Sequence, residues 1–289
     1  MSTRFFLASL SALTLGLLAH LPAQAQSATE TPGPAASAST TLSSSLGLVS
    51  DYRFRGISQS WRQPAVQAGS ELAHASGFYL GGWGSSVSAN SYNNGAGLEL
   101  DLYGGYRTSL GPSLQLDLGA LAYVYPSARM NQAPAQPGAQ GYDNLELYAG
   151  LSQGALSAKL SVAATDYFGL DGRSAGYAYF QALGANGSSR GSAYLDLNYS
   201  LDLGAGLSAN AHLGQLWVRR YSALSYTDWK LGLSQDLQTW GLPAAGFSLG
   251  LALVGSDADS RYYQAGDSAG QRARRLGRSG VVLSLGRNF

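Results

Sequence analysis

The chain contains no cysteine, which excludes a disulfide framework and any thiolate metal centre. Charge is scarce as well. Asp, Glu, Lys and Arg make up 12% of the 289 residues, about half the share usual in a soluble domain. Beyond residue 25 no run approaches the ~18 consecutive apolar residues of a membrane-crossing helix. Past the same point only two histidines occur, His74 and His212. Glycine, at 38, and tyrosine, at 18, are abundant instead. A disordered chain would lack those aromatics.

The N-terminus carries an export pattern. Arg4 supplies a positive start, Phe5 to Leu18 an apolar stretch, and Ala23-Gln24-Ala25 an A-x-A cleavage site. This predicts a cleaved signal peptide over 1–25. Its removal takes Arg4 and no acid, so the 18 basic residues become 17 and match the 17 acidic ones. A neutral chain gives no reason to expect nucleic acid as a partner. Residues 26–41 are mostly Ala, Ser, Thr and Pro and predict a flexible periplasmic lead-in, far too short for a secreted passenger.

From 42 to 289 the pattern changes to short segments in which every second residue is apolar. About twelve such segments, each roughly ten residues long, suit tilted strands that cross an outer membrane. They begin near Leu42, Gln63, Gly77, Gly95, Ser113, Tyr142, Ala155, Ser192, Gly206, Tyr226, Ala244 and Ser279. Short connections alternate with long ones at 126–141, 168–191 and 256–278, and 238–243 is intermediate. Short periplasmic turns, long outer loops and an even strand count are the marks of outer-membrane barrels. The expected fold is therefore all-β, an antiparallel transmembrane β-barrel of about twelve strands with both termini periplasmic.

The two faces of each strand differ in chemistry. Leu98, Leu100 and Leu102 share one face, and Glu99, Asp101, Tyr103 and Arg107 the other. A lysine or arginine on the lipid face near the midplane costs about 2–4 kcal/mol, so the leucine face belongs outside. The third segment, Phe78-Tyr79-Leu80-Gly81-Gly82-Trp83, alternates poorly and its facing stays open. Aromatic girdles are expected from Tyr52, Phe54 and Trp229 at the outer rim, and from Tyr106, Tyr199, Phe247 and Phe289 at the periplasmic rim.

Alternation assigns nine acids to the lumen: Asp51, Glu71, Glu99, Asp101, Asp117, Glu146, Asp196, Asp228 and Asp236. Five bases stand against them, namely Arg53, Arg55, Arg107, Lys159 and Lys230. The excess of acid predicts a modest cation preference. Ion pairs between these groups are a plainer reading of Glu99 and Asp101 than a metal site. No catalytic constellation emerges: His212 shares its face with Ser208 and Asn210 and points inward, and both histidines read as structural. Neither an enzyme nor a cofactor is expected. In the last loop Arg261, Arg272, Arg274, Arg275 and Arg278 are candidates for contact with lipopolysaccharide phosphates. Phe289 closes the final strand and is the expected signal to the barrel-assembly machinery.

At Ser50-Asp51-Tyr52-Arg53-Phe54-Arg55-Gly56-Ile57-Ser58-Gln59 the chain resembles the TorF family of proposed porins, conserved proteins of unknown function. Leu98-Glu99-Leu100-Asp101-Leu102-Tyr103-Gly104-Gly105-Tyr106 and Tyr226-Thr227-Asp228-Trp229-Lys230-Leu231-Gly232 extend the similarity, which spans Leu46 to Phe289. Ser60-Trp61-Arg62-Gln63 departs from the more polar stretch expected there. The resemblance implies an outer-membrane channel and supplies neither a solute nor a catalytic residue. The expected function is passive passage of small solutes through a narrow pore, with the 168–191 loop a candidate plug. The alternative is a closed structural or surface-binding barrel that contacts lipopolysaccharide or another partner through its long loops.

Overall fold

The computed structural model describes residues 39–91, 97–129, 141–172, 187–241, 243–266 and 273–289. The expected signal, most of the lead-in and Arg272 lie outside them. Among the described residues no helix is long and apolar enough to cross a membrane. Strands dominate instead. They are β1 (Thr40–Val49), β2 (Ala65–His74), β3 (Phe78–Ser86), β4 (Leu98–Ser109), β5 (Leu114–Val124) and β6 (Asn144–Gln153). There follow β7 (Leu156–Ala163), β8 (Ala193–Gly204), β9 (Leu207–Trp217), β10 (Tyr226–Asp236), β11 (Phe247–Ser256) and β12 (Gly280–Asn288).

Each strand pairs antiparallel with its sequence neighbours, and β12 returns to β1 to close a twelve-stranded barrel. Closure runs from Ser45 opposite Asn288 to Val49 opposite Ser284, and the Phe289 amide bonds the Ser44 carbonyl at 2.9 Å. No sheet edge is left to pair with another chain. Strand starts fall close to those expected; the gap at Ala244 against Phe247 is among the widest. Both ends of the barrel sequence lie at one rim with the tight turns, here the terminal rim. The long connections gather at the other, the loop rim.

The side chains divide as lipid and lumen would require. Every strand sends at least one exposed leucine outward, from Leu46 on β1 to Leu283 on β12. Leu102 is 62% exposed, whereas Glu99 and Asp101 beside it are 0% and 6%. On β3, Tyr79, Trp83 and Ser85 face inward and Phe78 and Leu80 outward. The pattern was obscured because Gly81 makes room for a ring: a Cβ there would lie 2.4 Å from Tyr103 Cζ. Trp229, Tyr106 and Phe289 face outward near strand ends as expected, whereas Tyr199 faces outward from the middle of β8 and Phe247 at the start of β11 is half-buried. Tyr52 and Phe54 do not face outward. They are buried inside the barrel, because the chain leaves the wall at Ser50 and folds inward.

Candidate functional site

The connection from β1 to β2 does not project from the rim. Residues 51–61 are buried without exception. They form a ribbon, Arg53–Phe54 paired with Ile57–Ser58, inside the barrel mouth. The turn between them places Arg55 at φ 48° and Gly56 at φ 77°, the two successive positive angles that a tight right-twisted hairpin needs. Glycine at 56 also permits contact with the wall. A Cβ there would lie 2.6 Å from Asp228 Cβ on β10 and 3.3 Å from the Gly255 carbonyl on β11.

The hairpin touches strands well around the wall. The Tyr52 hydroxyl donates to Glu99 Oε1 on β4 at 3.1 Å. Phe54 stacks edge-on against Tyr123 on β5. Arg55 Nη2 donates to Glu146 Oε2 on β6 at 2.7 Å, and its guanidinium lies 4.2 Å from the Tyr194 ring on β8. Removing one partner of such a buried pair strands the other charge, a loss of about 3–5 kcal/mol. At the base, Arg53 Nε donates to Asp51 Oδ2 at 2.7 Å while Ser58 and Ser60 hydroxyls donate to Oδ1. Arg53 Nη1 also bonds the Leu276 and Arg278 carbonyls, at 2.9 and 3.1 Å, tying the first loop to the last. Apolar clusters pack on both flanks, one around Phe54, Trp83 and Tyr123, the other around Ile57, Tyr194 and Leu276.

Away from the hairpin the lumen is asymmetric. Arg107 forks onto Glu71 at 2.6 and 3.0 Å, reaches Asp117 at 3.3 Å, and lies over the Tyr79 ring. Tyr79 donates to Asp117 at 2.5 Å and bonds Tyr148. His212 sits between Asp196 at 3.0 Å and Asp228 at 2.9 Å. Lys159 Nζ makes no hydrogen bond among the described residues and lies over Tyr148. Many inward positions of β11, β12 and β1 are small instead, namely Ser248, Gly250, Ala252, Ser284, Gly286 and Gly47, with Val49, Val254 and Val282 inward nearer the loop rim. Against that wall lies a cavity of about 40 Å³ whose lining includes Gly47, Gln67, Asn210, Lys230, Gly250 and Ser284.

The expected lumen residues thus fall into groups. Glu71, Glu99, Asp101, Arg107, Asp117, Glu146, Lys159, Asp196, Asp228 and Lys230 point inward from strands. Asp51, Arg53 and Arg55 are inside but belong to the hairpin. Asp236 caps a turn at the terminal rim, accepting from the Gln238 amide at 2.9 Å. The ion pairs expected for Glu99 and Asp101 are not made. Arg53 goes to Asp51, Arg55 to Glu146 and Arg107 to Glu71 and Asp117, and one oxygen each of Glu99 and Asp101 makes no hydrogen bond among the described residues.

In the last loop Arg261 forks onto Asp259 in solvent, and these bonds hold the Asp259 carboxyl below its usual range. Arg275 and Arg278 are exposed. Arg274 departs from expectation and turns inward, 4.0 Å from the Trp61 ring, with Nη1 donating to the Trp61 carbonyl at 2.8 Å. Of the expected plug, residues 173–186 lie outside the described residues. Phe168 and Leu170 at its start pack into the clusters beside the hairpin. The segment seen to cross the lumen is the first loop, which alternation missed.

A family described as bacterial protein of unknown function (Gcw_chp) matches residues 34–289. No curated protein matches the chain. Among solved structures, the KdgM porin is similar with a TM-score of 0.47 and 8% identity, over 86% of this chain and 98% of that one. The NanC porin gives 0.47 and 11%, over 86% and 99%. Pseudomonas aeruginosa OprD gives 0.35 and 14%, over 86% and 66%.

Proposed function

The chain belongs to this family of bacterial proteins of unknown function, and from that premise we propose that it is an integral outer-membrane channel for passive passage of small solutes. One observation carries the reading. A closed sheet exposes leucine from all twelve strands and keeps the carboxylates and bases of its wall inside, apart from Arg287 at the terminal rim, which lies over the Phe289 ring. An apolar surface on that scale exceeds what a monomeric soluble protein exposes, and hydrocarbon is the solvent that would cover it.

The sorting of connections supports orientation, with the terminal rim in the periplasm and the loop rim outside. In this reading residues 1–25 direct export, Phe289 signals assembly, and the TorF resemblance is one of common descent. A barrel of eight strands is filled by its side chains and one of sixteen holds an aqueous channel, so twelve should leave a narrow path. That path would run along the small residues of β11, β12 and β1. A specific observation favours a second reading, a closed barrel acting through its loops: the hairpin reaches the wall on several sides. Planar-bilayer recording of the refolded chain separates the two. Steady small current steps support the channel; silence across the voltage range removes it.

The excess of inward carboxylates over inward bases supports modest cation preference, and among the described residues Glu99 and Asp101 belong to no salt bridge. Changing both together, Glu99→Gln with Asp101→Asn, should move the reversal potential in a salt gradient towards zero. Heat-modifiable gel migration should stay unchanged, since no salt bridge is broken. Clear anion selectivity in the unaltered channel would defeat this assignment.

A further inference from the structure

At the loop rim Arg53 and Arg62 from the first connection bring their guanidinium groups together, and the charges of Arg274 and Arg278 from the last connection act on Arg62 as well. Their convergence is visible over Gly280, the first residue of β12. The Cβ that glycine lacks would lie 3.6 Å from Arg62 Nη2 and 3.7 Å from Arg53 Nη2. Arg53 spends its other nitrogens on Asp51 and on carbonyls, as above. The Arg62 side chain makes no hydrogen bond or salt bridge among the described residues. One nitrogen from each guanidinium therefore borders the same small volume over Gly280.

The backbone holds this arrangement in place. Trp61 and Arg62 are consecutive non-glycine residues with φ of 53° and 58°, a conformation side chains resist. It is fixed by the Arg62 amide donating to Ser58 Oγ at 2.7 Å and by Arg274 Nη1 bonding the Trp61 and Arg62 carbonyls. Charge is unbalanced here. Asp51 is the carboxylate among the groups that act most strongly on Arg62, and its oxygens are already taken by Arg53, Ser58 and Ser60. Burial and then the charges of Arg53, Arg278 and Arg274 hold the Arg62 guanidinium below its usual range. Like charges held this close call for a counterion.

We propose that this seam is an oxyanion site, in which a phosphate or carboxylate group seats over Gly280 between Arg53 and Arg62 and links the first outer loop to the last. Guanidinium forks match the planar or tetrahedral oxygens of such groups through paired charge-assisted bonds. Occupation relieves the repulsion that would otherwise push the two loops apart, so the anion favours the hairpin inside the lumen. The group can come from a free solute at the mouth or from lipopolysaccharide in the outer leaflet.

The test uses the full refolded chain in lipopolysaccharide-free detergent, titrated calorimetrically with inorganic phosphate at constant ionic strength. Arg190→Gln, which removes an exposed charge outside the cluster, is the control for non-specific attraction. The chain and the control should bind phosphate saturably. Arg62→Gln should bind about tenfold more weakly or worse, the scale of one lost charge-assisted hydrogen bond. Arg62→Gln breaks no hydrogen bond given for the side chain, and heat-modifiable migration verifies its fold. Should phosphate fail but purified lipopolysaccharide bind saturably, with Arg62→Gln weakening it, the site stands and the lipid is its source. Saturation by neither ligand overturns the proposal, as does an Arg62→Gln protein that binds like the unaltered chain. None of these readouts depends on conduction.

Discussion

Replacing residues 51–61 by a short Gly-Ser turn should raise single-channel conductance severalfold. The hairpin fills the mouth from Glu99 on β4 to Asp228 on β10, and a two-residue connection would reach neither. The wall should survive, because β1 and β2 pair directly from Thr40 opposite His74 to Val49 opposite Ala65 without help from the loop. Some stability will be lost with the Arg55–Glu146 pair and the aromatic packing around Phe54. Recordings on protein that still shows heat-modifiable migration decide the matter. Unchanged conductance in such protein would mean that the hairpin does not limit the path.

The second large effect is on stability and concerns the outer face. Leu231, on β10, is 58% exposed, and its neighbour Lys230 points into the lumen. Leu231→Arg should destabilise the barrel in lipid vesicles by about 2–4 kcal/mol, the cost of a cation near the midplane of a barrel exterior. Urea unfolding from vesicles, followed by tryptophan fluorescence, measures the loss. A change below about 1 kcal/mol, the scale found near the interfaces, would place this residue outside the hydrocarbon.

The wall was legible because lipid and lumen impose a period of two. Leu98 to Leu102 shows it in five residues, with leucines out and Glu99 and Asp101 in. Glycine hid the third strand: Gly81, Gly82 and Gly84 carry no polarity to read, and the room Gly81 leaves for Tyr103 is a tertiary fact. The hairpin was missed for the opposite reason. Asp51-Tyr52-Arg53-Phe54-Arg55 continues the alternation past the end of β1, so Tyr52 and Phe54 read as a girdle. Arg55-Gly56 was the available signal, a glycine placed for a tight turn soon after a strand.

Partner choice among the charges was also beyond pattern. Arg107 meets Asp117 because the β4–β5 register sets them opposite, and it reaches Glu71 two strands away. Glu99 faces Ser85 on one side, and Asp101 lies between Trp83 and Tyr123. Spacing along one strand carries no information about such neighbours. The same limit hid the arginine seam, where Arg62 and Arg278 lie far apart in sequence.

A single cysteine at Ser284, read against one at Leu285, tests the central claim most directly. The chain has no cysteine of its own, so each introduced thiol is unique. Ser284 is on the inward face of β12, opposite Gly250 on β11, while Leu285 is 40% exposed on the outer face. A charged, membrane-impermeant thiol reagent added during bilayer recording should cut the current of the Ser284→Cys channel in discrete steps and leave Leu285→Cys unaffected. Block at Leu285 with none at Ser284, or no current from either protein, would contradict a leucine-faced barrel that conducts along β11, β12 and β1.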